Sequence, residues 1–173
     1  TLDTSKFSDG THTIKLMVNT GDNHIYSSNE KQITISEVAD GSGTYIPTGL
    51  DVKDIIDSIT GLQAGTVITA LVSDTQPSGV STLSNTNVLK YLIIEVNVQP
   101  LSNAQIFFSV EKSDVSDPSR VSLYVWETSS WTVLATTHLT SSDTATEYAF
   151  SAVVPHFSTF MIGEDTTSTS NGG

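Results

Sequence analysis

Four histidines, His12, His24, His138 and His156, are the side chains of this sequence best suited to proton transfer or metal ligation. No two stand at i,i+2 or i,i+4, and no His-Glu-x-x-His pattern occurs, so no element presents a ready pair of ligands. Surface and turn positions account for all four. Acyl transfer would need a serine, a histidine and an acid held together, and no Gly-x-Ser-x-Gly elbow is present. Ser158 follows His156 by two residues, which on a strand puts both on one face without supplying the third member. These patterns predict no catalytic residues and no enzyme.

Oxygen ligands come next. Asp22 with Asn23, and Asp114 with Asp117, offer paired oxygens in loops, the kind of hard donor that calcium takes. No twelve-residue Asp-x-Asp-x-Asp-Gly loop accompanies them. A structural Ca²⁺ is the one cofactor these residues suggest, and otherwise none is expected. Lys15 and Lys90 lie on strand-like segments, where a buried lysine beside an acid can form an isopeptide link. Tyr124, Trp126 and Trp131 could stack a sugar on an outer sheet face. Packing in a core or against another subunit is the plainer role for such rings.

The 173 residues include seven basic and nineteen acidic side chains, a net charge of −12. A surface this anionic repels phosphate backbones and anionic lipid, which argues against nucleic acid and membrane as partners. Solubility is the simplest use of such charge. Cysteine is absent, so neither disulfides nor thiolate zinc sites arise. A globular fold of this length buries roughly 70% of its unfolded surface and needs no such staple. Ser and Thr supply 50 of the 173 residues, a content that suits hydroxyl-faced strands and is common in extracellular surface proteins. No Asn-x-Ser/Thr acceptor occurs, which leaves O-glycosylation open, most naturally in the tail. There is no signal segment or long apolar run, and the numbering opens at TLDTSKF without methionine. A processed product or an excised piece of something longer is the expectation from that opening.

The elements that must carry these residues read as strands. Ile14, Leu16 and Val18 alternate with Thr13, Lys15 and Met17 in HTIKLMVN, and Ile33 and Ile35 share a face in QITIS. A loop of roughly twelve residues joins them into a hairpin of the kind that ends an immunoglobulin-like sandwich. ADGSGTYIPTG, residues 39–49, reads as a linker. DVKDIIDSITGL, residues 51–62, combines helical spacing with β-branched side chains and reads as a short helix or extended turn. Seven further strands are predicted over 66–73, 88–98, 104–112, 121–127, 131–138, 147–154 and 157–163, with turn signals between them. The fold class expected is all-β, an antiparallel sandwich preceded by the hairpin. In the last strand Phe157, Thr159 and Met161 would face one way and Ser158, Phe160 and Ile162 the other. That suits an inner strand covered on both faces, or one at a subunit contact. Pro155 donates no ladder bond and belongs at its start.

The series VLKYLIIEVN, AQIFFSVEKS, DPSRVSLYVWE, WTVLATT and PHFSTFMIG resembles the PGF-pre-PGF domain of archaeal cell-surface proteins. Ile106, Phe108, Val110, Lys112 and Ser113 match one element of that family, and Val121, Leu123 and Tyr124 the next. Trp131, Leu134 and Thr136, then Pro155, Phe157, Ser158, Phe160 and Ile162, match the last two. His156 stands where the family has glycine, and SDVSDPS lacks the family's tryptophan. The resemblance covers residues 88–163 and implies an extracellular envelope component of a surface layer, sheath or filament, with no catalytic residue to transfer. The organisation expected is a hairpin over 1–38, a linker over 39–50, a sandwich over 51–163 and a Ser/Thr-rich tail over 164–173.

A two-stranded hairpin is marginal in water by itself. Residues 11–37 must therefore complete a sheet, in cis on the C-terminal domain or in trans as donor strands to a neighbour. A head-to-tail contact of the second kind builds rings, tubes or filaments. The expected partners are copies of this chain or other envelope proteins, with Ile14, Leu16, Val18, Ile33, Ile35, Tyr124, Trp126 and Trp131 as assembly residues. A cell-surface adhesion or carbohydrate-binding module is the other function this sequence suggests.

Overall fold

The structure is a computed structural model that describes residues 10–15, 17–19, 25–27, 31–35 and 37–167. In chain order its elements are β1 (Gly10–Ile14), β2 (Met17–Asn19), β3 (Ile25–Ser27), β4 (Lys31–Ile35) and β5 (Glu37–Val38), then one helical turn, α1 (Leu50–Lys53). β6 (Ile56–Thr60), β7 (Val67–Ser73), β8 (Thr86–Val96) and β9 (Ala104–Glu111) follow. β10 (Val121–Glu127), β11 (Ser130–Val133), β12 (Thr136–His138), β13 (Glu147–Val154) and β14 (Thr159–Asp165) complete the chain. A six-stranded sheet in the order β11-β10-β14-β8-β7-β5 packs on a four-stranded sheet in the order β12-β13-β9-β6. Neighbouring strands are antiparallel throughout, so the all-β sandwich expected from the sequence is what forms.

Alternation builds the core. In β9, Ala104, Ile106, Phe108 and Val110 are buried, while Gln105, Phe107 and Ser109 between them are half-buried. Phe108 lies opposite Phe150 of β13, and their rings stack with centroids 5.4 Å apart. Leu92, Ile94, Leu123, Val125, Phe160 and Ile162 face them from the larger sheet.

At each lateral edge the chain leaves one sheet and joins the other. Residues 131–138, expected as one strand, break into β11 on β10 and β12 on β13. At the corner Leu134 donates its N–H to Leu123 O at 2.8 Å, and Leu123 N–H donates to Thr136 Oγ1 at 3.0 Å. On the opposite side β5 pairs with the start of β7, and Tyr45 then exchanges backbone bonds of 2.8 and 2.9 Å with Ile59 of β6. Sheet edges left open invite pairing with other chains, and these crossings remove much of that risk.

Residues 39–49 thus differ from the linker their composition suggests. Ala39 and Tyr45 are 3% and 1% exposed, and the Asp40 carboxylate caps the turn by accepting from Ser42 N–H at 2.8 Å and Thr44 N–H at 2.9 Å. Residues 51–62 turn out to be both helix and strand. α1 lasts one turn, and β6 then buries the β-branched Ile56 and Ile59. Helical spacing over 52–59 was real but too short to propagate a helix.

β14 is an inner strand, between β10 and β8, and Phe160, Met161 and Ile162 are all fully buried. Phe157 departs from the expected alternation. It lies in the bend before the strand and joins the main core with Phe160. Gln99 holds that bend: its side-chain oxygen accepts from Phe157 N–H at 2.9 Å and its amide donates to Phe157 O at 3.4 Å. The side-chain amide thereby takes the place of a ladder neighbour where Pro155 and the bend interrupt pairing.

The N-terminal hairpin is longer than expected. β1 pairs with β4 and β2 with β3, the register slipping between the two pairs. The predicted twelve-residue loop therefore contains β3, which has only three residues and was hidden among turn signals. β1 also approaches β7.

Two glycines test the closure. Gly43 (φ +76°) and Gly65 (φ +78°) share a left-handed backbone, but an added Cβ would lie 2.0 Å from Leu62 O at Gly43 and meet nothing within 4 Å at Gly65. Left-handed backbone alone costs an L-residue about 1–2 kcal/mol. Gly65→Ala should cost about that much in urea unfolding, and Gly43→Ala at least twice as much, because there the 39–45 crossing must also shift.

Candidate functional site

Tyr124, Trp126 and Trp131 do come together, on the outer face of the six-stranded sheet. Trp126 lies opposite Trp131, with ring centroids 5.1 Å apart at 65°, and Tyr91 of β8 approaches Trp131 at 6.2 Å. Tyr91, Tyr124 and Met161 form a second buried cluster, covered by Leu83, Val88 and Trp131. The Trp131 indole donates to Ser81 O at 2.6 Å, which pins residues 74–85 over the sheet. Tyr124, at 9% exposure, is thus turned to its own chain, while Trp126 and Trp131 remain half-buried. Burial, helped by the Asp165 carboxylate, pushes the Tyr124 phenol up, and burial does the same for Tyr91.

Among the hairpin residues, Ile14 pairs with Lys31, Val18 with Tyr26, Ile33 with His12 and Ile35 with Gly10. Leu16, Asp22 and Asn23 lie outside the described residues, as does His24. Asp117 uses a carboxylate oxygen on its own turn, accepting from Ser119 N–H at 2.9 Å and Ser119 Oγ at 2.7 Å, with Ser119 holding its carboxyl below the ordinary range. Asp114 is exposed beside Ser113. Among the described residues no three His, Asp or Glu side chains gather as a metal cluster.

Two histidines sit in pairs. His138 Nε2 lies 3.0 Å from Asp143 Oδ1, and its ring stacks on Phe150 and meets Tyr148 edge-on. Asp143 also accepts from Ala149 N–H, and that bond, more than His138, draws its carboxyl down. His156 Nε2 lies 2.9 Å from Glu127 Oε1. Ser158 is not part of that pair; its hydroxyl lies 3.5 Å from Trp126 O. Lys90 ion-pairs with Asp74, and Lys15 is exposed.

The residue that sequence reasoning missed is Glu164. Its carboxylate is buried at 3% exposure and accepts from Ser116 N–H at 3.1 Å, Asp117 N–H at 2.7 Å and the Ser116 hydroxyl. It anchors the turn at Ser116 and Asp117. The predicted strand ended at Gly163, which assigned Glu164 to the tail; a single acid following an apolar strand was the available signal.

Compared with known proteins, the chain matches no family model, no curated protein and no solved structure.

Burial by itself would raise the Glu164 pKa, but the bonds from Ser116, Asp117 and Asn87 outweigh it and hold the carboxyl below its ordinary 4.5. The unfolded chain therefore binds this proton more readily. Its contribution to stability is fully present above pH 4.5 and is lost as pH falls through the lower folded value. Urea midpoints measured from pH 7 downward should fall across that window, and Glu164→Gln should lower the neutral-pH midpoint while flattening the acid slope.

Proposed function

We propose that this chain is a non-catalytic structural component of an archaeal cell envelope, part of a surface layer, sheath or extracellular filament, assembled through β-strand contacts between subunits. The observation that carries the reading is the N-terminal hairpin. β1 and β4 form one two-stranded sheet, β2 and β3 another, and neither is a member of the two sandwich sheets. Two-stranded ladders are marginal in water, so strands like these gain most from a neighbour's edge. β4 leads within one residue into β5, whose two residues reach only Val67 and Ile68 of β7. With chain crossing between the sheets at β11/β12 and at Tyr45, the hairpin and the part of β7 beyond Ile68 are where strand addition fits.

Supporting the extracellular setting are the hydroxyl-rich, cysteine-free, strongly acidic composition and the ordered motifs that resemble the PGF-pre-PGF domain. Partners are copies of this chain or other envelope proteins. A head-to-tail contact, in which the hairpin of one copy meets a different edge of the next, adds copies in one direction and closes only if its rotation permits.

Solution mass tests this. Light scattering over a hundredfold range of concentration should give species that grow with concentration for residues 1–173 and a monomer for residues 37–173. A monomer for both at every concentration would place the hairpin in cis and remove the basis for assembly.

A further inference from the structure

Register aligns five strands into one transverse row on the outer face of the six-stranded sheet. Trp131 of β11 lies opposite Trp126 of β10. One step beyond the Val125–Phe160 pair, Trp126 meets Thr159 of β14. Thr159 lies opposite Ile93 of β8, and Ile93 opposite Leu71 of β7. At about 4.8 Å between strands, the row is roughly 19 Å long.

The row beside it, through Tyr124, Met161 and Tyr91, is already covered by residues 74–85 and is buried. The Trp126 row is not. Leu71 is 41% exposed, and Trp126, Thr159 and Ile93 are half-buried. Beside its middle, at Ile93 and Thr159, lies a shallow groove of about 400 Å³, also lined by Glu95, Gln99 and Ser158. The Gln99 amide, bonded to Phe157 on both sides, fixes the groove's floor.

Size decides what fits. A strip one side chain wide and roughly 19 Å long is far short of the ~800 Å² per partner that stable protein interfaces bury. Chemistry narrows it further. Indole and aliphatic surface suits the C–H faces of pyranose rings, and the adjoining carboxylate and hydroxyls suit their O–H edges. The net charge of −12 repels uronate and sulfated chains, which leaves neutral ones.

We propose that this row binds a linear neutral glycan. Trp126 is the stacking ring, Ile93 and Leu71 extend the apolar track, and Glu95, Ser158 and Thr159 supply hydrogen bonds. The residues of the row come from β7, β8, β10, β11 and β14, and none from β1–β4.

Trp126 and Trp131 are the two tryptophans of the chain, so intrinsic fluorescence reports on this row directly. The full chain is titrated to millimolar cellohexaose, mannohexaose and chitohexaose. A saturable emission change is expected with at least one of them. Trp126→Ala and Leu71→Arg should each weaken it at least tenfold, with far-UV circular dichroism unchanged. Leu71→Arg, on an exposed position, keeps the test decisive where Trp126→Ala does not fold. Val153→Ala, on the outer face of the other sheet, should bind as the parent does. No saturable response to any of the three sugars overturns the proposal, as does a response that survives Leu71→Arg. A change of solution mass with Leu71→Arg, with no sugar response in the parent, would make the row a subunit contact instead.

Discussion

β14 must be covered on both faces, and much of the surrounding architecture follows from that. Phe160 and Ile162 fill the space between the sheets, while Met161 points the other way and is equally inaccessible to water. An antiparallel sheet commonly leaves its outer face to solvent. Here Met161 lies between Tyr91 and Tyr124, and a second apolar layer is closed over all three by residues 74–85. Burying each such side chain contributes about 1.5–3 kcal/mol relative to exposure, enough to hold an otherwise irregular segment in place. The same strand ends in Glu164, whose burial is tolerated because three donors of one turn meet it.

Closure and openness then divide the molecule. Crossings at residues 130–138 and 37–45 run along both sides of the sandwich, while β1–β4 and β2–β3 remain two-stranded ladders outside its two sheets. Chemistry is divided likewise. Side-chain pairs such as His138–Asp143, His156–Glu127 and Lys90–Asp74 tie loops to strands. The half-buried aliphatic and indole row is what the outer face offers to a ligand. A structural subunit that also holds sugar is a consistent reading of these two surfaces.

Much of the sandwich was legible because alternation is a strong signal where one face is buried. β10 and β13 begin and end where the sequence places them. Residues 131–138 read as one strand because nothing in WTVLATTH marks a change of sheet; that change depends on Thr136 meeting Leu123 across the fold. The Gly- and Ser-rich stretch 39–49 looked like a linker because composition does not show that Tyr45 finds Ile59. Trp126 and Trp131 were visible as candidates, but separating them from Tyr124 needed the cover over the second cluster. Glu95 gave no sequence signal, since only register brings it near Ile93 and Thr159 of the same groove.

The central claim is that the hairpin strands complete their sheets with a neighbouring subunit. Amide hydrogen exchange of residues 31–35, followed at micromolar and millimolar protein, tests it most directly. Strand pairing between subunits predicts protection that rises with concentration at those amides while β9 and β14 stay unchanged. Protection of residues 31–35 that is the same at both concentrations would contradict it.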